Sequence, residues 1–367
     1  MKGKITRKNR VVAALLAVIM VIGWAVMVNP FAVSAETADL IVTPSDNSGD
    51  NGYVNYDRWA ATVKSYLYQE GDNLVRVEYV NDEVIIETYS ANLQLLETKS
   101  LSLELPLWGG FYAGEDANYI ICGQENLEED DSTEVIRVIK YDKNFNRVGS
   151  AGLYGANTTT PFKAGSLRCA EYGGYLYVHT SHEMYAASDG LIHQSNMIFS
   201  VRESDMVVTD SFDRTSNANF GYVSHSLNQF VLVDTQNNII TLNHGDGFPR
   251  GVMLAKYDNL AGNDLFAGLV DFVYVQSFPG EIGANDTGAN VGGLAETSDG
   301  YISAFSDNQT GTGTAERNIF ISYTPKSDFS KEATVVTKLT NYMGTETADK
   351  RASNPIVVPT GLDGGYI

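Results

Sequence analysis

Two unlike strand-bearing modules alternate along this chain in strict order, five times over, and that recurrence constrains the fold more than any single motif does. The first module is an acidic or glycine turn, an aromatic residue or leucine, and a short apolar run. It reads EGDNLVRVEYV, GEDANYIICGQ, AEYGGYLYVHT, HSLNQFVLVDT, ETSDGYISAFS and a terminal GLDGGYI. Anchored on Leu74, Tyr119, Tyr175, Phe230, Tyr301 and Tyr366, it returns after 45, 56, 55, 71 and 65 residues. The second module is an apolar strand running into a polar turn: EVIIETYSANLQ, EVIRVIKYDKNFN, NMIFSVRESDM, GVMLAKYDNLA and NIFISYTPKSDF. Short alternating or apolar runs bounded by Gly, Asn and Asp specify strands and turns, and helical period is scarce. One such unit alone leaves a wide apolar face and two open edges. Stacking the units buries the faces, and closing the circle protects the edges. The expected fold is therefore all-β: a β-propeller of about six blades built from antiparallel strands, either incomplete or latched by the C-terminal strand. The uneven spacing places loop insertions around Asp258 to Gly293 and Asp307 to Arg317.

Ahead of the repeats stand three differently composed stretches. MKGKITRKNR carries five basic residues and no acid, Val11 to Val28 carries no charge, and NPFAVSA ends in small residues. This is the pattern of a secretory signal peptide over residues 1–35, cleaved after Ala35; an uncleaved anchor is the other reading, since about 18 apolar residues just reach across a bilayer. Residues 36–52 are polar and aperiodic and read as a linker, leaving 53–367 for the propeller. The chain's formal charge is −20, and without residues 1–35 it becomes −25. Such an acidic surface repels phosphate backbones, which excludes nucleic acid as a partner. It suits a secreted or cell-surface protein, touching the membrane only through the N-terminal segment if that stays uncleaved. Cys122 and Cys169 both sit in apolar runs and read as free thiols rather than as a bridge.

The polar residues that stand out are clustered. His179, His182 and His193 fall with Glu183 in HTSHEMYAASDGLIH; His225 precedes NQFVLVD; His244, Asp246 and Arg250 share HGDGFPR. At the channel mouth of a propeller, loops from separate blades meet, so these eight form one candidate ligand-binding set. Tyr172, Tyr185 and Phe248 are candidate stacking surfaces. A histidine beside Arg250 or Arg168 would also suit acid–base or nucleophilic chemistry on an anion. The spacing HTSHE is not a zinc pattern, so no metal site and no cofactor is expected; DNSGDNG and the acidic run Glu125 to Glu134 leave calcium as the single candidate ion. Against all of these stands a structural reading, in which the same groups bond strand ends and turns.

Four segments carry a resemblance: NTTTPFKAGSLR, HTSHEMYAASDGLIHQSNM, GYVSHSLNQFVLVD and LNHGDGFPRG. Together they resemble a propeller-like module of exported proteins of Gram-positive, clostridial-type bacteria, over roughly residues 55–367. The resemblance implies export and fold, and brings no reaction with it. An exported propeller that binds extracellular carbohydrate or protein is the expectation. The alternative is an enzyme with a histidine-rich channel mouth, hydrolytic or similar in architecture to arylsulfotransferase propellers.

Overall fold

The computed structural model describes residues 62–213, 223–247, 250–258, 269–278, 280, 289–307, 318–341, 355–362 and 364–366. The expected signal segment 1–35 and linker 36–52 lie outside these. Among the described residues there is no helix, and hence none long and apolar enough to cross a membrane.

The strands form consecutive antiparallel sheets, each a meander in which chain neighbours pair. The first sheet holds β1 (Ser65–Glu70), β2 (Asn73–Val80), β3 (Glu83–Tyr89) and β4 (Leu95–Ser102). The second holds β5 (Leu107–Ala113), β6 (Asn118–Gly123), β7 (Glu134–Tyr141) and β8 (Arg147–Tyr154). In the third, β9 (Thr158–Pro161) pairs with the far end of β11 (Tyr175–Ala186), beside β10 (Arg168–Tyr172), β12 (Ile192–Arg202) and β13 (Val207–Phe212). The fourth holds β14 (Ser226–Val233), β15 (Ile239–Gly245), β16 (Gly251–Tyr257) and β17 (Leu269–Ser277). The fifth holds β18 (Asn290–Glu296), β19 (Gly300–Asp307), β20 (Asn318–Pro325) and β21 (Val335–Lys338), and a hairpin of β22 (Val358–Gly361) and β23 (Gly364–Tyr366) follows. The first strands lie side by side: β5 touches β10, β10 touches β14, β14 touches β18 and β18 touches β22. Four-stranded meanders stacked with their first strands together are built as propeller blades are.

The two sequence modules are the second and third strands of the sheets, which explains their apolar character. A middle strand has a neighbouring sheet on both faces, and its side chains alternate between them. In β6, Ile120 and Cys122 enter the core shared with the first sheet, while Tyr119 and Ile121 enter the core shared with the third. In β11, Leu176 and Val178 face the second sheet and Tyr177 faces the fourth. Outer strands have no such cover: β4, LLETKSLS, alternates half-buried with exposed residues, and its charges protect an open edge.

One anchor shifts. Phe230 lies in β14, a first strand, and the second strand of that sheet begins at Ile239. The aromatic run FVLVD imitates the module, whereas the true second strand, IITLNHG, has polar residues where its sisters have apolar ones. The expected insertion over 258–293 also contains two strands, β17 and the start of β18; the 307–317 stretch lies almost wholly outside the described residues.

A repeated device locks the second, third and fifth sheets to the one before them. The turn from third to fourth strand thrusts one large apolar side chain into the preceding groove: Phe145 between the first and second sheets, Met206 between the second and third, Phe329 between the fourth and fifth. Phe145 and Met206 adopt positive φ, 61° and 54°, where L-residues are disfavoured by about 1 kcal/mol. Asp142 holds the first of these turns by accepting from the amides of Asn144 and Asn146 at 2.9 and 2.8 Å. Leu93 occupies the corresponding place in the first sheet with φ 62°, and it is 51% exposed.

At the same end, an acid closing a first strand reaches back to the turn of the preceding sheet. Glu171 Oε2 accepts from the Glu115 amide at 2.8 Å, and Glu296 Oε1 accepts from the Thr235 amide at 2.8 Å. The second acid is neutralised by Lys326. The first instead meets Glu203, whose Oε1 takes the Tyr119 hydroxyl at 2.7 Å. Asp234 accepts from the Tyr301 hydroxyl at 2.5 Å across the fourth seam. Tyr301→Phe is expected to cost about 2 kcal/mol in urea unfolding, one charged hydrogen bond's worth.

Candidate functional site

The seam between the third and fourth sheets differs from the others. Its described apolar core is small, consisting of Tyr177, Ile198, Phe212, Ile239, Ala255 and Tyr257. Polar groups fill the rest. The Ser166 amide donates to Gln229 Oε1 at 2.7 Å, Gln229 Nε2 donates to Ser226 Oγ at 2.8 Å, and Gln194 Nε2 donates to the carbonyls of Ser226 and Lys163 at 2.6 and 3.0 Å.

The histidines divide along this seam. The β11 strand does not stop at His179 as the sequence suggests; it continues to Ala186, held on one side by β12 and on the other by β9. His179 and His182 are therefore mid-strand and fully buried, not in a turn. His179 Nδ1 lies 3.0 Å from the Met197 carbonyl and Nε2 lies 2.9 Å from Asn243 Oδ1, which also accepts from Ser226 Oγ at 3.1 Å. Burial draws this imidazole down to about pKa 4, so it is neutral and its single N–H serves one of these two oxygens at a time. His182 is likewise held neutral by burial, at about 3, between Thr158 Oγ1 at 2.7 Å and Ser195 Oγ at 3.3 Å. His244 is buried at the end of β15, edge-on to Phe278 with ring centres 5.5 Å apart. These three build the sheets. His179→Gln, which keeps a neutral amide in place of the ring, is expected to cost only about 1 kcal/mol, read by chemical denaturation.

The rest of the set lies at the other end of the strands from the plugs. His225, in the connection between the third and fourth sheets, has φ +48° and is fixed by its amide on the Gln194 carbonyl at 2.8 Å. Its Nδ1 meets Asp246 Oδ1 at 3.0 Å. A carboxylate only accepts, so Nδ1 carries the proton and Nε2 is left as the basic nitrogen. The imidazole is 33% exposed and the carboxylate 3%, so a shielded acid orients a reachable ring. Arg250, buried, donates Nη1 to the Asp246 carbonyl at 2.7 Å, and a side chain at Gly280 would collide with its guanidinium. Thus His225, Asp246 and Arg250 form one site from two segments.

Glu183 stands apart, half-buried, 3.7 Å from Lys163 Nζ. His193 pairs with Asp189 at 2.9 Å in the β11–β12 hairpin. Of the stacking candidates, Tyr172 lies in the β10–β11 turn at the opposite end of the strands, Tyr185 is tied to Asp131 and Asn126, and Phe248 lies outside the described residues. The eight residues therefore do not share one funnel. Among the described residues, no group of three or more His, Cys, Asp or Glu could hold a metal ion, and Cys122 and Cys169 are free thiols.

No protein-family model matches the chain, and no curated protein does. Solved structures overlap with it at low identity. One is an ACO/RPE65 chimera, at TM-score 0.44 and 10% identity, covering 74% of this chain and 59% of that one; the chain thus spans little more than half its length. Another is a protein of unknown function from Dyadobacter fermentans, at TM-score 0.38 and 8% identity, covering 77% and 85%. A third is a GH43_12 protein from a capybara gut metagenome, at TM-score 0.36 and 13% identity, covering 79% and 58%. No residue of the present chain takes a role from these overlaps.

Proposed function

We propose that this is an exported β-propeller of about six blades that binds an extracellular carbohydrate or protein at the mouth of the seam between the third and fourth sheets. One observation carries the reading: His225, Asp246 and Arg250 gather there, while His179, His182 and His244 serve the interior. The oriented imidazole offers one hydrogen-bonding nitrogen to a polar ligand, on loops set by rigid strands. The acidic net charge and the secretion-type N-terminus support an extracytoplasmic setting.

A second reading rests on the same pair. A buried carboxylate orienting an exposed imidazole is the base half of a nucleophilic triad, and would serve proton transfer if a substrate brought its own nucleophile or water. The test is a glycan and peptide binding screen on the intact chain, His225→Ala and Asp246→Asn. The binding reading expects a retained ligand, with about tenfold weaker binding in either variant and unchanged melting temperature. Product formation from a bound glycan, lost in His225→Ala, would install the enzyme instead. If neither variant changes any interaction, the mouth is not the site.

A further inference from the structure

Arg168 opens β10, and its guanidinium does not stay within its own sheet. It lies over the ring of Phe230, on the first strand of the fourth sheet, with its carbon 5.0 Å from the ring centre. Its one hydrogen bond is from Nη1 to the Leu167 carbonyl at 2.9 Å, and no ion pair reaches it among the described residues. The titratable groups within electrostatic range are Tyr66, from the first strand of the first sheet, and Cys169. Burial pushes Tyr66 up to about 12 and raises the Cys169 thiol as well, so both are neutral. The Tyr66 hydroxyl is itself buried with no hydrogen-bond partner. Residues from three first strands thus surround one cation, which remains partly open to solvent, in a chain carrying 45 acids and 25 bases.

Burial of a guanidinium with no acid beside it disfavours its charged form, and a cation–π contact offsets only part of that loss. Among the described arginines, Arg76, Arg137, Arg147 and Arg202 each meet a glutamate or aspartate. We propose that Arg168 is the anchor of an anion site on the inner side of the first strands, taking a monovalent oxyanion such as a carboxylate or sulfate ester. One guanidinium balances one negative charge, and its paired N–H groups match two oxygens of such a group. Phe230 supplies an apolar surface for the body that carries the anion. This site is separate from the His225 pair and does not depend on the reading given for it.

The test uses the full chain in low-salt buffer, titrated with sodium glucuronate, sodium methyl sulfate, inorganic phosphate and sodium chloride, and followed by calorimetry and thermal unfolding. Glucuronate or methyl sulfate is expected to bind and to raise the melting temperature, with phosphate and chloride weaker by about tenfold. Arg168→Met should melt at or above the wild-type temperature without anion and show no response to it, because it removes an unbalanced charge. Arg168→Lys, which keeps the charge but not the fork, should bind about tenfold more weakly. Failure of wild type to respond to any oxyanion overturns the proposal. So does an equal response to chloride, an undiminished response in Arg168→Met, or a lower anion-free melting temperature in that variant, which would make Arg168 a structural cation.

Discussion

Phe145→Ala should destabilise the protein by about 3–4 kcal/mol, while Leu93→Ala at the corresponding place one sheet earlier should change stability by less than about 0.5 kcal/mol. The chemistry of the two deletions is similar, and only the surroundings differ. Phe145 is 8% exposed and packs against Phe111 and Tyr141, with ring centres 6.1 and 6.4 Å away. Removing it opens a void in the core shared by the first and second sheets, next to Val75, Ile86 and Ile120. Leu93 projects into solvent. Both residues hold a positive φ, so both substitutions keep the same backbone cost and the comparison isolates packing. Urea denaturation of the two variants measures it. Equal losses would mean that Leu93 also fills a groove in solution.

The second large effect is a loss of stability with rising pH at the joint between the second and third sheets. Burial and the neighbouring Glu203 carboxyl raise Glu171 to about 7, against 4.5 for an unperturbed glutamate. Folding therefore favours the protonated acid. The stabilisation is complete below about pH 4.5, shrinks as the pH climbs, and is gone once the folded-state value near 7 is passed. A shift of that size corresponds to at most about 3 kcal/mol, and partial solvent screening brings the expectation to about 2 kcal/mol. Glu171→Gln keeps a neutral, hydrogen-bonding side chain at every pH. Its stability relative to wild type should rise by about 2 kcal/mol between pH 4.5 and pH 8, measured by urea unfolding at each pH. The buried histidines titrate in both proteins and cancel in the difference. A difference that stays constant with pH would show that the two carboxyls do not share a proton.

Much of the architecture was legible because a middle strand must satisfy two neighbours. That double burial wrote apolar runs between turn residues, and every second module fell on a third strand. Single-sided strands left weaker marks: β4 reads as a polar stretch, and β17 was hidden in what looked like an insertion. The fourth sheet departs from the pattern because its second strand serves the polar seam, where Thr241 and Asn243 replace apolar residues, so the aromatic β14 matches the module better than the true second strand does. The histidine set was legible as a cluster but not as a site. Whether His179 or His225 is reachable depends on β11 running on past His179 and on which sheet lies across it, and neither is a property of the local sequence. The carboxyl pair Glu171 and Glu203 was missed entirely. Its signal was faint, an acid at the end of the first strands β1, β10 and β18, and it gains meaning only when the lysine seen at Glu296 is found replaced by a second acid.

The plugging side chains have a consequence for how such a molecule comes apart and how it is assembled by gene duplication. Each one completes a joint using only two adjacent sheets, so cohesion is pairwise, like links in a chain, rather than vested in one common centre. A unit added or deleted would leave every distant link intact. Rupture under denaturant or force would begin at the least oily link, the one between the third and fourth sheets.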